Sequence, residues 1–454
     1  MKNSFALWLV PLLLIRLWAP LHATPQLQHL VLTHVTVIDA TGAQARPEMT
    51  VVIAGGRIAA LGKAEEVRLP EGAQIIDAGG RFLIPGLWDM HIHSGSYEEG
   101  KKVFPLLIAR GITGVRDMGS PPEDAIRLRR ETGEGKILGP RMIVAGPLIQ
   151  GPLPFQMPLI ISVHNKVEAS RAVVDLKERG VDFIKVQDAL PRDLYFAVAS
   201  EAKRQGLPFA GHVPPSISAL EATKAGQHSI EHLGGRFQGV LLACSDSEAA
   251  LTKKIRTVIS EALRALSEKR EPDDSDIFRA SFTRPLLNSY SGRKAAALFS
   301  EFKKRQTWQT PTLVAQPIRE ALGSGRKDLN EDDVRYGRML MRKQLEVVAA
   351  MKRAGVGVMA GTDLPLGSWS LHEELSLLVE AGLTPLEALQ TATRNPAEFL
   401  GRLDSLGTIE EGKIADLVLL EADPLEDIRN TRKIYAVILG GKMIQKSSLS
   451  EIEK

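Results

Sequence analysis

The stretch Leu87-Trp88-Asp89-Met90-His91-Ile92-His93 decides how the chain is read. It is an apolar run that closes on two histidines one residue apart. Pro85-Gly86 before it and Ser94-Gly95-Ser96 after it break regular structure on either side. In an extended strand alternate side chains share a face, so His91 and His93 converge while Ile92 points away. Neutral imidazole is the commonest protein ligand for transition metals, and this pair would supply half of a four-coordinate site. A lone His-X-His is more often incidental than metal-binding, so the metal reading depends on ligands supplied from elsewhere in the chain.

Beyond this strand, short apolar segments alternate with amphipathic helices, the pattern of parallel βαβ units. Eight strands are expected at 87–93, 114–117, 141–145, 183–186, 208–212, 229–232, 309–313 and 356–360. Helices are expected at 166–179, 194–205, 334–353 and 372–380. The fold class is therefore α/β, a (β/α)8 TIM barrel over residues 86–400. Residues 234–292 are too long for one connection and are charged around 268–276; they read as a helical insertion over the barrel mouth. Residues 24–85 and 401–454 have a different texture of short β-type runs with Gly55-Gly56 and Gly440-Gly441 as hairpin turns. The two ends are expected to pair into one small β-sandwich.

Residues 1–23 read as an export signal: Lys2 carries the charge, Phe5 to Ile15 form the apolar core, and Ala23 precedes a cut at Thr24. Arg16 interrupts the apolar run, which falls short of the about 20 residues that a membrane span needs. The expected location is periplasmic or secreted, with no stable span after signal removal; an uncleaved anchor is the alternative. Two of the three net positive charges, Lys2 and Arg16, belong to this leader, so the remainder is close to neutral and nothing points to nucleic acid. Cys244 is the only cysteine and reads as a small buried hydrophobe, with no intramolecular disulfide possible. Composition leaves a homo-oligomer open.

In a barrel of this kind the working residues sit at the C-terminal ends of strands. Those ends carry His91 and His93, Lys185, His212 and His232, and Asp363 follows the eighth strand. Burying a lysine and an aspartate is costly unless they are paired or hold metal. A buried amine is pushed toward its neutral form, which can react with carbon dioxide to give a carbamate able to bridge two cations; pairing of Lys185 with Asp363 is the plainer alternative. Of the remaining histidines, His22 lies in the leader. His29, His34, His164, His228 and His372 lie away from strand ends and read as surface, packing or rim positions. His228 and His232 could also pair on a helix, but Gly226 and Ile230 favour a turn and then a strand.

With these residues in place, the chain resembles the amidohydrolase superfamily, in the branch that groups imidazolonepropionase-like enzymes with metal-dependent, prolidase-like dipeptidases. The phrases that carry the resemblance are Gly86 to His93, Gly180 to Val186, Gly211-His212-Val213, Ser229-Ile230-Glu231-His232 and Ala360-Gly361-Thr362-Asp363. Thr393-Arg394-Asn395-Pro396-Ala397 and Gly412 to Leu417 match as well, so the likeness spans nearly all of the mature chain and is weakest across the insertion. The resemblance implies a binuclear centre. His91, His93 and Asp363 would bind the more buried ion and His212 and His232 the more exposed one, with carboxylated Lys185, formed from carbon dioxide, as the bridge. Zinc is the first choice among divalent metals. A hydroxide between the ions would be the nucleophile, and Asp363 the catalytic proton carrier. Asp89 is a candidate to orient a ligating histidine through its far nitrogen; Arg116 and Asp117 would pair with each other or hold a charged substrate end.

The function so implied is an exported metal-dependent hydrolase of a C–N amide bond in a small molecule, with a dipeptide or N-acyl amino acid as first choice. Peptide-cleaving relatives often place a further His or Tyr shortly after the strand-5 ligand. Here Val213-Pro214-Pro215 follows His212, which keeps a cyclic amide, lactam or imide open as substrate. A reading of another class is a non-catalytic exported binding protein on the same fold. The presence of all six ligands argues against it, because decay should strike ligands first.

Overall fold

The computed structural model describes residues 29–153, 158–270, 279–323, 328–363 and 369–452, so the expected leader at 1–23 and the charged tip from 271 onward lie outside the described residues. The described residues begin with β1 (Leu30–Val37), β2 (Arg46–Ala54), β3 (Arg57–Lys63), β4 (Gln74–Asp77) and β5 (Phe82–Pro85). The β2–β3 hairpin turns at Gly55 and Gly56, both at positive φ, as a two-residue turn matched to strand twist requires.

The central region contains β6 (Leu87–Ile92), β7 (Ile112–Asp117), β8 (Arg141–Val144), β9 (Leu148–Gln150), β10 (Ile160–Ser162), β11 (Ile184–Val186), β12 (Phe209–Gly211), β13 (Ser229–Glu231) and β14 (Trp308–Thr310). Strands β6 to β8 form one parallel sheet, and β10-β9-β11-β12-β13-β14 another. Backbone hydrogen bonds cross both gaps between them. Asp182 N donates to Val144 O at 2.8 Å, and the segment 356–360 joins β14 to β6 through Met359 N to Gln309 O and Met90 N to Ala360 O, both 2.9 Å. That segment makes a single isolated bridge, Val358 to Gln309, instead of a full strand. A side chain at Gly361 would stand 2.6 Å from Thr310 Cγ2 and 2.8 Å from His91 Cβ, so glycine is what lets the eighth segment approach the first ligand. Strands β9 and β10 are not evident from sequence, because Gly146-Pro147 interrupts the apolar run that contains β9.

Helix bounds follow local chemistry. The helix Lys166–Arg179 matches its expected range because Asn165 caps it and Gly180, at φ 86°, ends it. The helix Glu331–Arg353 starts a turn before position 334 because Asn330 and Asp333 form a reciprocal capping box. The expected insertion is helical, with Gly239–Ala243, Glu248–Ser267 and Ala280–Asn288, and Arg256 Nε donates to Pro215 O at 3.0 Å, tying it to the loop after His212. Among the described residues no helix is long and apolar enough to cross a membrane.

Strands β15 (Leu417–Leu420), β16 (Ile434–Leu439) and β17 (Lys442–Gln445) bring the far end back to the beginning. The two ends meet as expected. Where the sequence suggests a two-layer sandwich, however, the described strands hydrogen-bond into one eight-stranded sheet, ordered β17-β16-β15-β5-β1-β2-β3 with β4 also on β1. The period of two explains its burial. Leu417 and Leu419 pack with Leu32, Ile53 and Ile438 in the sheet's own core, whereas Val418 and Leu420 join Ile84 and Ile112 in the main core. Leu419→Ala should cost about 2–5 kcal/mol as a large-to-small core change. A lowered unfolding midpoint with unchanged kcat of the folded fraction would place that residue in support of the fold alone.

Candidate metal centre

Four imidazoles form an unbroken row. Ring centroids are 5.5 Å apart for His93 and His91, 4.4 Å for His91 and His232, and 5.0 Å for His232 and His212. Asp363 closes the row with both oxygens: Oδ1 lies 3.1 Å from His93 Nε2 and 3.6 Å from His91 Nε2, and Oδ2 lies 3.4 Å from His232 Nε2. Asp363 N donates to His91 O at 2.8 Å, fixing the eighth segment's end against the first strand's. The ligand atoms of His91, His93 and Asp363 fall within 4.8 Å of one another, close enough to share one cation.

The backbone is bent to achieve this. His232 (φ 55°), Thr312 (φ 43°) and Asp363 (φ 51°) all occupy the left-handed region, which non-glycine residues avoid. Each such residue costs on the order of 1–3 kcal/mol and persists where its surroundings over-determine it, as at functional sites. This is also why the expected strands at 229–232 and 309–313 stop at Glu231 and Thr310.

Three of the four imidazoles hydrogen-bond through Nδ1 on the protein side, and the fourth, His212, has an acid beside its Nδ1 without a hydrogen bond. His91 Nδ1 is 2.9 Å from Glu231 Oε2, His93 Nδ1 is 2.7 Å from Gly119 O, His232 Nδ1 is 2.5 Å from Thr312 Oγ1, and His212 Nδ1 is 2.9 Å from Asp188 Oδ2. Carbonyl and carboxylate oxygens only accept, so in His91 and His93 the ring proton sits on Nδ1 and Nε2 is the nitrogen turned to the site, the arrangement metal-ligating histidines generally need. Burial holds His91 and His232 well below the usual imidazole range and hence neutral. For His93 burial acts the same way but is outweighed by Asp363, which raises it. Burial also pushes Asp363 upward, yet the neighbouring His232 and His93 prevail and hold its carboxyl below the carboxylate range.

Lys185 is 1% exposed, and burial lowers its ammonium to about 8. Its charge acts on His91, His93, His232 and Asp363, which places it beside the row. Among the described residues no ion pair joins its Nζ to Asp363, the alternative that the sequence left open. The donor set fits a divalent cation: neutral imidazole nitrogens, an ionised carboxylate, and at His91 Nε2 a buried polar atom that has no hydrogen-bond partner.

Three expected supporting residues have other roles. Asp89 does not reach a ring nitrogen; it accepts from His91 N at 3.1 Å and from Thr362 N and Oγ1 at 3.0 and 2.8 Å, pinning the first strand to the eighth segment. Arg116 and Asp117 do not pair, because neighbours on a strand face opposite ways. Arg116 is buried among Met90 O, Ser229, Glu231 and Thr310, and Asp117 is bound to Ser94, Ser120 and Gly119 N, so neither is open to substrate. Glu231, Asp188 and Thr312 were not singled out by sequence. Glu231 could have been, as an acid inside a strand motif. The other two are positioned by loops.

His228 lies just before β13 and not on a helix, with its ring stacked on Phe399 at 4.4 Å. His372 is not a rim residue: it is fully buried between Thr431 Oγ1 (2.9 Å) and Arg110 O (3.0 Å). Glu374, on the same helix, accepts from Val314 N at 2.8 Å while its Oε1 lacks a partner, and burial raises it to about 8. Its folded-state value lies above the ordinary 4.5, so wild-type stability should fall as pH rises from there to about 8. Glu374→Gln should remove that slope, leaving the unfolding midpoint little changed at the acid end and higher at the alkaline end.

The chain belongs to the amidohydrolase family, whose profile matches residues 82–444. It is thus a hydrolase acting on carbon–nitrogen amide bonds. Ochratoxinase from Aspergillus niger is 25% identical over 427 residues, covering 80% of this chain and 75% of that protein. Its crystal structure superposes with a TM-score of 0.67 over 92% of this chain and 96% of the other at 21% identity. An imidazolonepropionase from Porphyromonas gingivalis is 24% identical over 403 residues, 82% of each chain. A Xaa-Pro dipeptidase with bound methionine in its active site matches with a TM-score of 0.69 over 92% of this chain and all of that one, at 21% identity, a level that speaks for the fold.

Proposed function

We propose that this chain is an exported, binuclear metal-dependent amidohydrolase that cleaves the amide C–N bond of a small linear substrate, a dipeptide or an N-acyl amino acid. The observation that carries the reading is the meeting of one carboxylate, Asp363, with three imidazoles whose far nitrogens are already bonded. Similarity to a Xaa-Pro dipeptidase supports the linear amide. His91, His93 and Asp363 would hold one ion, His212 and His232 the other, and Lys185 would bridge them as a carbamate, its neutral Nζ adding to carbon dioxide with loss of a proton. The eight strand positions would close into a single barrel, with the helices after His232 at its mouth. Divalent ions, zinc first, would lower the pKa of water toward about 7 and polarise the amide carbonyl. Asp363, whose side chain keeps 31% exposure, takes the proton that the attacking water loses and passes it to the leaving nitrogen. The imidazoles of His91 and His232 stay neutral and do not compete for it.

The absence of a titratable group in Val213-Pro214-Pro215 favours a second substrate class, a cyclic amide or imide whose ring needs no terminal charge held there. The test is metal analysis of the mature protein, then turnover of dipeptides, N-acyl amino acids, lactams and imides. Linear turnover with two ions bound is the expected result; turnover confined to rings would move the assignment to the second class, and bound metal without any turnover would favour a binding protein. Intact-mass analysis of the extracytoplasmic form should show a start near Thr24.

A further inference from the structure

Arg116 and Glu231 form a buried ion pair, 1% and 0% exposed in their side chains. Glu231 Oε1 accepts from Arg116 Nη2 at 2.9 Å and from Ser229 Oγ at 2.5 Å; Oε2 accepts from Arg116 Nη2 and stands opposite His91 Nδ1, both at 2.9 Å. The guanidinium is bonded in turn through all three nitrogens: Nε donates to Met90 O at 2.7 Å, Nη1 to Ser229 Oγ at 2.9 Å and Nη2 to Thr310 Oγ1 at 3.2 Å. Its face lies 5.1 Å from the Phe399 ring and 5.6 Å from that of Phe183. A buried pair this fully bonded is often replaceable by apolar residues without loss of stability, so stability is a weak reason for its presence.

We infer that Arg116 and Glu231 are positioning residues that set the tautomer of His91. The carboxylate already takes donors from Arg116 Nη2 and Ser229 Oγ and stands as an acceptor to His91; it therefore requires the His91 proton on Nδ1 and leaves Nε2 as a lone-pair donor. This rests on the reading of His91 as a metal ligand for what it does to affinity, but the tautomer itself is a property of the metal-free chain. The order of partners matters. Arg116 Nη2 reaches both oxygens, but Oε1 also faces the Ser229 hydroxyl, whose lone pair Arg116 Nη1 already takes, so in Glu231→Gln the amide oxygen stays on that side and the amide NH2 turns toward His91. Nδ1 must then accept, and the proton moves to Nε2, the nitrogen meant for the ion. Removing the arginine as well frees the amide to present its oxygen to His91.

The experiment compares metal-free protein labelled with 15N-histidine, and zinc affinity by chelator competition, in wild type, Glu231→Gln, Arg116→Met/Glu231→Gln and Arg116→Met/Glu231→Leu. Glu231→Gln should show His91 switched to the Nε2–H form and zinc bound about 10- to 100-fold more weakly, the loss typical when a histidine's supporting partner is changed. Arg116→Met/Glu231→Gln should return both toward wild type, although it carries more substitutions. A purely structural pair would give no such rescue. If Glu231→Gln does not fold, the two double variants still decide: they carry the same charge, and only the one with leucine lacks the acceptor, so it alone should lose the tautomer preference and the affinity. Unchanged tautomer and affinity in Glu231→Gln, or equal behaviour of the two double variants, would overturn the inference. Wild type without zinc affinity would instead overturn the metal-centre reading, and the nitrogen spectra would still decide the role of the pair.

Discussion

Asp363→Asn is expected to lower kcat by about 10²- to 10⁴-fold, the range for loss of a general base, with a much smaller change in KM because the missing interaction belongs to the transition state. Asparagine keeps the shape of the side chain and one donor oxygen but cannot accept the proton. His91 and His93 remain in place, and Asp363's backbone N–H to His91 O is untouched, so metal should largely stay bound. If Asp363 were merely an acid that neutralises the imidazoles around it, the outcome would differ: a less stable protein whose folded, metal-loaded fraction turns over at nearly the normal rate. Metal content, unfolding midpoint and kcat measured on one preparation separate the two, and near-normal kcat would remove Asp363 from the chemistry.

Lys185→Ala should lose metal and turnover together, beyond the about 10- to 100-fold weakening of affinity that follows loss of a mere supporting partner, because a bridging ligand would be gone. The expectation follows from burial: a 1% exposed lysine brought to about 8 has a neutral fraction able to form the carbamate, and that product suits a position beside His91, His93, His232 and Asp363 better than an ammonium does. Short carboxylic acids should partly restore both properties by filling the vacated space with an equivalent oxygen pair. A high-resolution structure with two metals around an unmodified amine would end the carbamate proposal, and rescue by neutral amides of the same size would show that only volume had been replaced.

Local sequence was enough to nominate all six ligand candidates, because a strand's period of two and a strand-end location are written in consecutive residues: His91 lies on β6 and His93 one residue past its end, and Lys185, His212, His232 and Asp363 each sit in or just past an apolar run. It was enough, too, for the meeting of the chain ends and for helices whose caps are local, such as Lys166–Arg179. What it could not supply are relations between distant strands and loops. The partners of the imidazoles, Glu231, Asp188 and Thr312, lie 140, 24 and 80 positions from the rings they hold. Asp89 and Arg116 were legible as buried polar residues but not by role, since a polar group's partner is chosen by which strands become neighbours. The same holds for the single eight-stranded sheet, where hydrogen bonding between β5 and β15 joins two ends that each read only as short strands. Residue type and spacing thus narrowed which groups could carry the chemistry, while tertiary structure alone determined which nitrogen of His91 and His93 faces the site, because that depends on an acceptor brought from a distant strand or loop.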